Sequence, residues 1–407
     1  MTDTYKPQTH DQMRDLVEWA AADKVPLEIV GQGTKRALGH SVAADHLLDL
    51  GGLAGVVSYQ PEELVLTAGP ASPLAEIEAL LRDNNQMLAF EPQDWGWVLD
   101  GASNPGTLGG AVMVSSNGPR RFKAGAVRDH LLGFNGVSGR GEAFKAGGKV
   151  VKNVTGYDLS KMITGSYGTL AALSEVTLKV LPAPAKTYTL LVYGLDTKPA
   201  LQLMRAVAGT AYEVSGLALV PAKVAAESAV DYVSSKHQSV VAIRVEGPGV
   251  SVSHRLQALR AFVTSALETE ELHSHNSAQF WSEIRDVTLL PAEGGSVWRV
   301  SIPPSDAASV ISSCRPDHWV ADWAGGVVWM HFDRASADQG DAVRASIRNG
   351  GQATLVRGPA DLRAATPAFQ PLEPGLQLLN QRVKENYDPY NILNPGRLGG
   401  DDMGDQS

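Results

Sequence analysis

The stretch VKNVTGYDLSKMITGSYGTLAALSEVTLKVLP (151–182) sets glycine-bounded turns beside a short helix and a strand. Asp158 is placed to cap a helix over Leu159–Ile163, and Gly165 stops that helix. Further on, Val176, Leu178 and Val180 alternate with Thr177 and Lys179, the period of a strand with one buried face. Upstream, PGTLGGAVMVSSNGP (105–119) places Gly109 and Gly110 after a Pro-Gly turn and before an uncharged run containing Ala111, Ser115 and Ser116. Main chain without side chains leaves room for a flat aromatic ring system; a tightly packed sheet crossing is the alternative. A strand around Leu131–Val137 and a turn at Ser138–Glu142 complete a unit spanning residues 105–182.

Working toward the N-terminus, GQGTKRALG (31–39) follows an apolar strand, Leu27–Val30. A dinucleotide fingerprint of the G-x-G-x-x-G kind needs a third glycine where Arg36 stands, and no suitably placed acidic residue follows, so that fold is disfavoured. The loop can still cradle phosphate. Successive N–H groups form an anion nest, to which Thr34 adds a hydroxyl and Lys35 a charge. A plain surface turn is the alternative. Residues 9–23 read as a helix with Thr9 and Gln12 at capping-box spacing. Strands at Gly55–Tyr59 and Leu64–Ala68, then a helix from Ser72 with Pro73 at its first position, complete a small βα lobe ending near Phe90.

The chain has 407 residues, a formal charge of −9, and 43% hydrophobic against 19% charged residues. Those fractions describe an ordinary folded chain of two or three domains and exclude a disordered or collagen-like one. Net acidity argues against nucleic acid as a partner. No stretch has the roughly 18 apolar residues of a membrane span, and MTDTYKPQTHDQM has no apolar export core. The single Cys314 excludes an internal disulfide and a cysteine-ligated iron–sulfur cluster within the chain. Of the 41 glycines, 23 fall in the first 170 residues, where they form five clusters, which suggests a domain built around a large ligand. LPAPAK (181–186) reads as a boundary. Beyond it, strand-like runs at Thr187–Tyr193, Ser239–Val245, Trp298–Ile302 and Gly326–Phe332 alternate with helices near Pro199–Ala208 and Ser253–Leu267. That pattern is an α+β unit with an antiparallel sheet. The end, NYDPYNILNPGRL (386–398), is turn-rich and leads to an acidic tail.

KNVTGYDLSKMITGSYG (152–168), the two loops before it, GPRR (118–121), VRDHLLG (127–133), VWRVSIPPSD (297–306), DWAGGVVWM (322–330) and the terminal NPGR together resemble a vanillyl-alcohol-oxidase/p-cresol-methylhydroxylase-type FAD flavoprotein. Within that superfamily the chain is similar to the FAD-binding subunit of bacterial glycolate oxidase. The resemblance spreads over nearly the whole chain, in the family's order. It implies an α+β fold, in which a two-lobed FAD-binding domain (1–182, lobes about 1–90 and 91–182) precedes an α+β cap (183–370). A segment (371–407) then returns to the FAD domain. Carried over residue by residue, Gly31, Gln32, Gly33, Thr34 and Lys35 match the pyrophosphate loop. Thr107, Gly109, Gly110 and Ala111 match the second loop along the cofactor. Lys152, Asn153, Gly156, Tyr157 and Asp158 match the segment that closes over it, and Asn394 and Arg397 match the C-terminal motif.

Two departures qualify what the resemblance implies. Members that attach FAD covalently do so through a histidine in the first loop, where this chain has Thr34 and Lys35, so non-covalent FAD is expected. Members that themselves oxidise 2-hydroxy acids carry an H-x-H-x-G-D-G-N-type motif in the cap, and this chain has none. The HSH at His273–His275 lacks the glycines and carboxylate, and His318, Asp322 and His331 are joined by no motif. No catalytic residue and no metal site are therefore assigned. The expectation is a glycolate oxidase subunit that relays electrons through FAD. The iron–sulfur centres and the hydroxy-acid chemistry lie on an iron–sulfur partner and a paralogous flavin subunit, in the cytoplasm or at the inner face of the membrane through the complex. A self-sufficient D-lactate-like dehydrogenase and a non-catalytic scaffold are the alternatives.

Overall fold

The computed structural model describes residues 3–148, 157–263 and 266–399. Three large sheets and one two-stranded sheet organise them. Strands β1 (Asp3–Tyr5), β2 (Leu27–Val30) and β3 (His46–Asp49) form a parallel sheet in the order β1-β3-β2. The helix His10–Asp23 connects β1 to β2. Thr9 caps it by accepting the Gln12 N–H at 3.2 Å, and Met13, Val17 and Ala20 form its buried stripe.

A second sheet contains β4 (Val56–Gln60), β5 (Val65–Ala68), β7 (Leu131–Ser138), β8 (Ala143–Gly147) and β9 (Ala171–Lys179), antiparallel in the order β4-β5-β9-β7-β8. The short β6 (Gln86–Met87) pairs with β10 (Leu181–Pro182). β5 thus hydrogen-bonds to β9, more than a hundred residues downstream, with β4 on its outer edge, and neither pairs with β1–β3. This corrects the sequence expectation of a first lobe running unbroken to about residue 90, because local apolar pattern carries no information about pairing partners. Pro73 is the N-cap of the helix Leu74–Asp83 and not its first residue.

Beyond Pro182, eight antiparallel strands form the third sheet. They are β11 (Lys186–Tyr193), β12 (Gly216–Val220), β13 (Val240–Gly247), β14 (Thr269–His273), β15 (Ser296–Ser301), β16 (His318–Asp322), β17 (Val327–Phe332) and β18 (Gln352–Arg357). Their order is β14-β11-β13-β12-β16-β17-β15-β18. Both faces are covered, which explains continuous apolar runs such as TLLVY in β11. Leu190 and Val192 join a core with Met204, Leu256 and Val310 from three helices. Leu191 and Tyr193 join another core containing Phe280 and Ile284 of the helix Ser274–Asp286, and also Trp95 and Val98. A segment of the first half is therefore embedded in the cap. The helix expected at Ser253–Leu267 is Gly249–Phe262, because Pro248 caps it and Val263 is already extended.

The C-terminal helix Pro374–Tyr387 buries none of its residues and exposes Leu376, Leu378 and Leu379. After it the chain folds back onto β2. The Leu27 N–H donates to Ile392 O at 2.7 Å and the Asn394 N–H to Leu27 O at 3.0 Å, while Ile392 and Leu393 are fully buried.

Candidate functional site

β2 ends at Val30, and the next residues turn away from the sheet to form one wall of an open cleft. The cleft encloses about 550 Å³, part of it continuous with solvent. Gly33 has φ +73°, a left-handed conformation that glycine adopts without strain. Among the described residues, the N–H groups of Gln32, Gly33, Thr34 and Lys35 donate to no protein acceptor. Successive main-chain donors beside a left-handed residue are the elements of an anion nest. Lys35 is only 8% exposed, and its Nζ donates to Thr34 Oγ1 at 3.2 Å and Pro105 O at 3.1 Å. Burial pulls its pKa down to about 8 against a weaker upward pull from Asp94. An anion in the cleft would offset that burial, which makes this wall suited to a phosphate group.

The facing wall is the short helix Leu108–Met113. Thr107 caps it by accepting the Gly110 N–H at 3.2 Å, and Thr107, Gly110, Met113 and Val114 line the cleft. The walls meet closely because one is glycine: a Cβ on Gly31 would lie 2.9 Å from Thr107 Oγ1. Asn394 and Arg397 also line the cleft, and their polar atoms hold the loop in shape. Asn394 Oδ1 accepts the Ile29 N–H at 2.7 Å, and its Nδ2 donates to Tyr167 O at 2.8 Å. Arg397 donates to Lys35 O at 2.6 Å and Arg36 O at 2.7 Å. With the loop carbonyls tied back, the loop N–H groups are free to face the cleft.

Gly31, Gln32, Gly33, Thr34, Lys35, Thr107, Gly110, Asn394 and Arg397 are thus brought together. Gly109 and Ala111 are not. Gly109 packs on Pro70, where a Cβ would come within 2.6 Å, and Ala111 lies fully buried in the core with Leu108 and Val112. Successive helical residues are turned about 100° from one another, so only one of the two adjacent glycines can face the cleft. Tyr157 is 90% exposed, and Asp158 caps the helix Leu159–Ile163 through the Lys161 N–H at 3.2 Å. Lys152, Asn153 and Gly156 lie outside the described residues.

A second group, unassigned from sequence, stands where the cap meets the first half. Trp323 and Ala324, just after β16, have φ of +53° and +58°. Left-handed backbone at non-glycine residues costs of order 1–3 kcal/mol each and concentrates at functional sites. Trp323 Nε1 donates to Gly118 O at 3.0 Å. The guanidiniums of Arg121 and Arg299 lie 4.4 and 5.1 Å from the Trp323 ring centroid, and Arg299 also stands 5.9 Å from Trp329. Among the described residues neither guanidinium has a hydrogen-bonded or ion-paired acceptor. Burial, opposed in part by Tyr167 and aided by Arg121, lowers Arg299 to about 10. Tyr167, which lines the cleft, is raised to about 12 by burial. Burial also raises Asp322 to about 7, although its Oδ1 accepts the Trp323 N–H at 2.7 Å. Two unpaired cations over one indole, beside a carboxylate that titrates near neutrality, can bind a small carboxylate and accept a proton.

Behind this group a buried network joins the halves. Glu91 accepts from Arg244 at 2.9 and 3.0 Å and from Arg120 at 2.6 Å, and Arg120 also donates to Glu246 at 2.6 Å. Burial alone would raise the Glu91 carboxyl, but Arg120 and Arg244 outweigh it and hold the pKa below its usual range. Of these residues only Arg120 stands in a motif singled out from sequence, GPRR (118–121).

Residues 4–147 match the family model described as an FAD binding domain. Glycolate oxidase subunit GlcE of Escherichia coli K12 is 33% identical over 388 residues, covering 94% of this chain and 95% of that protein. Glycolate oxidase subunit GlcD of Bacillus subtilis 168 is 22% identical, covering 96% and 87%. A solved p-cresol methylhydroxylase with substrate bound superposes with a TM-score of 0.70 at 15% identity, covering 97% of this chain and 88% of that one.

Proposed function

The chain belongs to the FAD-dependent oxidoreductase family of glycolate oxidase subunit GlcE, and from that premise we propose that it is the FAD-binding subunit of a glycolate-oxidising complex and relays electrons to an iron–sulfur partner. The observation that carries the reading is the cleft between Gly31–Lys35 and Thr107–Gly110, where free main-chain donors and a buried ammonium fit a pyrophosphate. Gln32, Gly33, Thr34 and Lys35 would hold that anion, and Asn394 and Arg397 keep the loop carbonyls turned away from it. Gly110 leaves the facing wall free of side chain. FAD bound there supplies the two-electron redox chemistry; the protein supplies position and field. With no histidine in the loop to form a covalent link, these residues would hold it non-covalently.

Onward transfer requires a partner, since a lone cysteine cannot ligate a four-cysteine cluster. The exposed leucines of Pro374–Tyr387 supply an apolar surface of the kind that assembly covers. No helix among the described residues is long and apolar enough to cross a membrane, so membrane attachment would come through the other subunits.

A second reading has a specific observation in its favour. Arg121, Arg299 and Asp322 offer what a 2-hydroxy acid needs, two cations for its carboxylate and an acceptor for its hydroxyl proton. On that reading the chain oxidises glycolate or a D-lactate-like acid without a paralogue. Anaerobic absorbance of the purified, FAD-loaded chain separates the two. Flavin bands unchanged by glycolate alone, and bleached only with the partner subunits, are expected for the relay. Bleaching of the isolated chain, lost in Arg299→Gln, assigns the chemistry here. A chain that takes up no FAD overturns both.

A further inference from the structure

Outside the cleft, one cluster of ligating side chains is assembled by the cap sheet itself. His318 opens β16 and is the cross-strand partner of His331 in β17. Asp333 follows His331 by two residues, and residues two apart on extended chain project to the same face. The three side chains therefore meet at one end of the strands. Asp333 Oδ1 lies 3.5 Å from His318 Nε2 and 3.3 Å from His331 Nδ1, and the donor atoms of the three residues all fall within 4.8 Å of one another. Asp322, at the other end of β16, takes no part. The sequence places His318 and His331 in view but gives no sign that Asp333, and not Asp322, completes the set.

From this geometry we propose that His318, His331 and Asp333 bind a divalent cation of the zinc class, with the fourth position open to solvent. Donors bonded at about 2.0–2.1 Å in a tetrahedron stand about 3.3–3.4 Å apart. The two separations to Asp333 Oδ1 are close to that value. His331 is 2% exposed, yet its Nδ1 makes no hydrogen bond, even to the carboxylate 3.3 Å away. The Nε2 of the same ring faces Gly294 O at 3.4 Å. A backbone carbonyl there favours the proton on Nε2 and leaves the Nδ1 lone pair for a ligand, the usual outer support of a metal-bound imidazole.

The surrounding contacts hold the cluster in place. Asp317 accepts the Asp333 N–H through Oδ2 at 2.8 Å, and its own N–H donates to His331 O at 3.0 Å. A neighbouring cation, Arg357, is occupied by the carbonyls of Val98, Pro291 and Gly294. The Asp333 side chain is 54% exposed, so the fourth position faces water. Two imidazoles and one carboxylate favour zinc over magnesium or calcium, which prefer all-oxygen sets. Neither histidine belongs to an H-x-H pair, and the site is independent of the flavin reading above.

The test uses the full chain without an affinity tag, stripped by chelator and loaded with FAD. Zn²⁺ is titrated in competition with a chromophoric chelator, and Co²⁺ is followed by its visible absorption. One equivalent of Zn²⁺ and the intense bands of tetrahedral Co²⁺ are expected. His318→Gln and Asp333→Asn should each weaken binding by about tenfold or more, and His331→Gln should remove the Co²⁺ bands. Flavin absorbance should stay constant throughout. Asp333 is exposed, so its variant keeps the test free of folding defects. No uptake by the wild type, or equal affinity in wild type and Asp333→Asn, overturns the proposal.

Discussion

The candidate flavin cleft and the junction of the first half with the cap are built by opposite means. The cleft is made of main chain: free N–H groups at 32–35, a glycine at 31 that lets Thr107 approach, and another at 110 that leaves the facing wall bare. The junction is made of side chains, chiefly charged and aromatic ones. Arg244 and Glu91 meet across 153 residues of sequence, and Arg121 and Trp323 across 202. Backbone recognition suits a ligand whose phosphates are the same in every member of a family. Side-chain recognition suits whatever a member does individually. The difference predicts that the two regions fail differently when mutated.

The largest effect belongs to the junction. Arg244 is 1% exposed and supplies two of the hydrogen bonds to Glu91, so Arg244→Leu leaves that carboxylate with Arg120 alone. Removing one partner of a buried ion pair costs about 3–5 kcal/mol. Urea unfolding at pH 7 should show that loss. A cost under about 1 kcal/mol would mean that water already solvates Glu91, and the distinction between the regions would weaken.

Next in size are two titrations of opposite sign. Asp322 has its folded pKa raised to about 7 from an ordinary 3.8. Between those values the folded state holds a proton that the unfolded state has released. Stability therefore falls as pH rises from about 4 to 7, by about 4 kcal/mol in all at some 1.4 kcal/mol per unit, and is level above. Asp322→Asn keeps the oxygen that accepts the Trp323 N–H and should flatten this window. Lys35, lowered to about 8 from 10.5, acts in the opposite direction. Its unfolded state binds the extra proton between those values, so stability rises with pH over that range, and Lys35→Met should abolish the rise. Unfolding free energies measured across pH 4–10 test both. Bound FAD should suppress the Lys35 window and leave the Asp322 window in place, and suppression of both would break the comparison.

A third test separates two neighbours inside the cleft wall. Gly109→Val drives a branched side chain into Pro70, an overpacking that costs about 1–3 kcal/mol. Gly110→Val meets Thr107 Oγ1 at 3.2 Å and otherwise enters the cleft. It should leave the unfolding midpoint nearly unchanged and cut FAD retention, read as absorbance per chain after gel filtration. Retained flavin in Gly110→Val together with full stability in Gly109→Val would reverse the orientation of this helix.

These neighbours also show what sequence could and could not reveal. The loop 31–35 could be singled out because glycines and a lysine directly after a strand have a local meaning, and the structure places it at the cleft. Asn394 and Arg397 became legible only through resemblance, since nothing local ties residue 394 to Ile29. Gly109 and Gly110 look equivalent as letters, and the helical rotation that separates them exists only once Thr107 starts a helix. Pairing partners of strands were not legible either, so β4 and β5 were read as part of the first lobe although β5 pairs with β9. The charged junction was not legible as a site: Arg120, Arg121, Arg299 and Trp323 stand in stretches that carry the resemblance, but nothing local shows that five distant segments bring them together.

The smallest effect concerns that start. The helix Leu108–Met113 has six residues, two of them glycines, which are poor helix formers, so its intrinsic stability is low. The Thr107 hydroxyl accepts one of the N–H groups that the first turn leaves unsatisfied. Thr107→Ala should cost about 1 kcal/mol, the usual value of an N-cap oxygen, and Thr107→Ser only a few tenths. Thr107 also presses its methyl and hydroxyl toward Gly31, so a second cause competes with the first. If Ser and Ala cost the same, contact with Gly31 sets the wall and capping does not. If Ser is spared while Ala loses both stability and flavin, the hydroxyl orders this wall of the cleft, and a main-chain site depends on one side-chain oxygen for its shape.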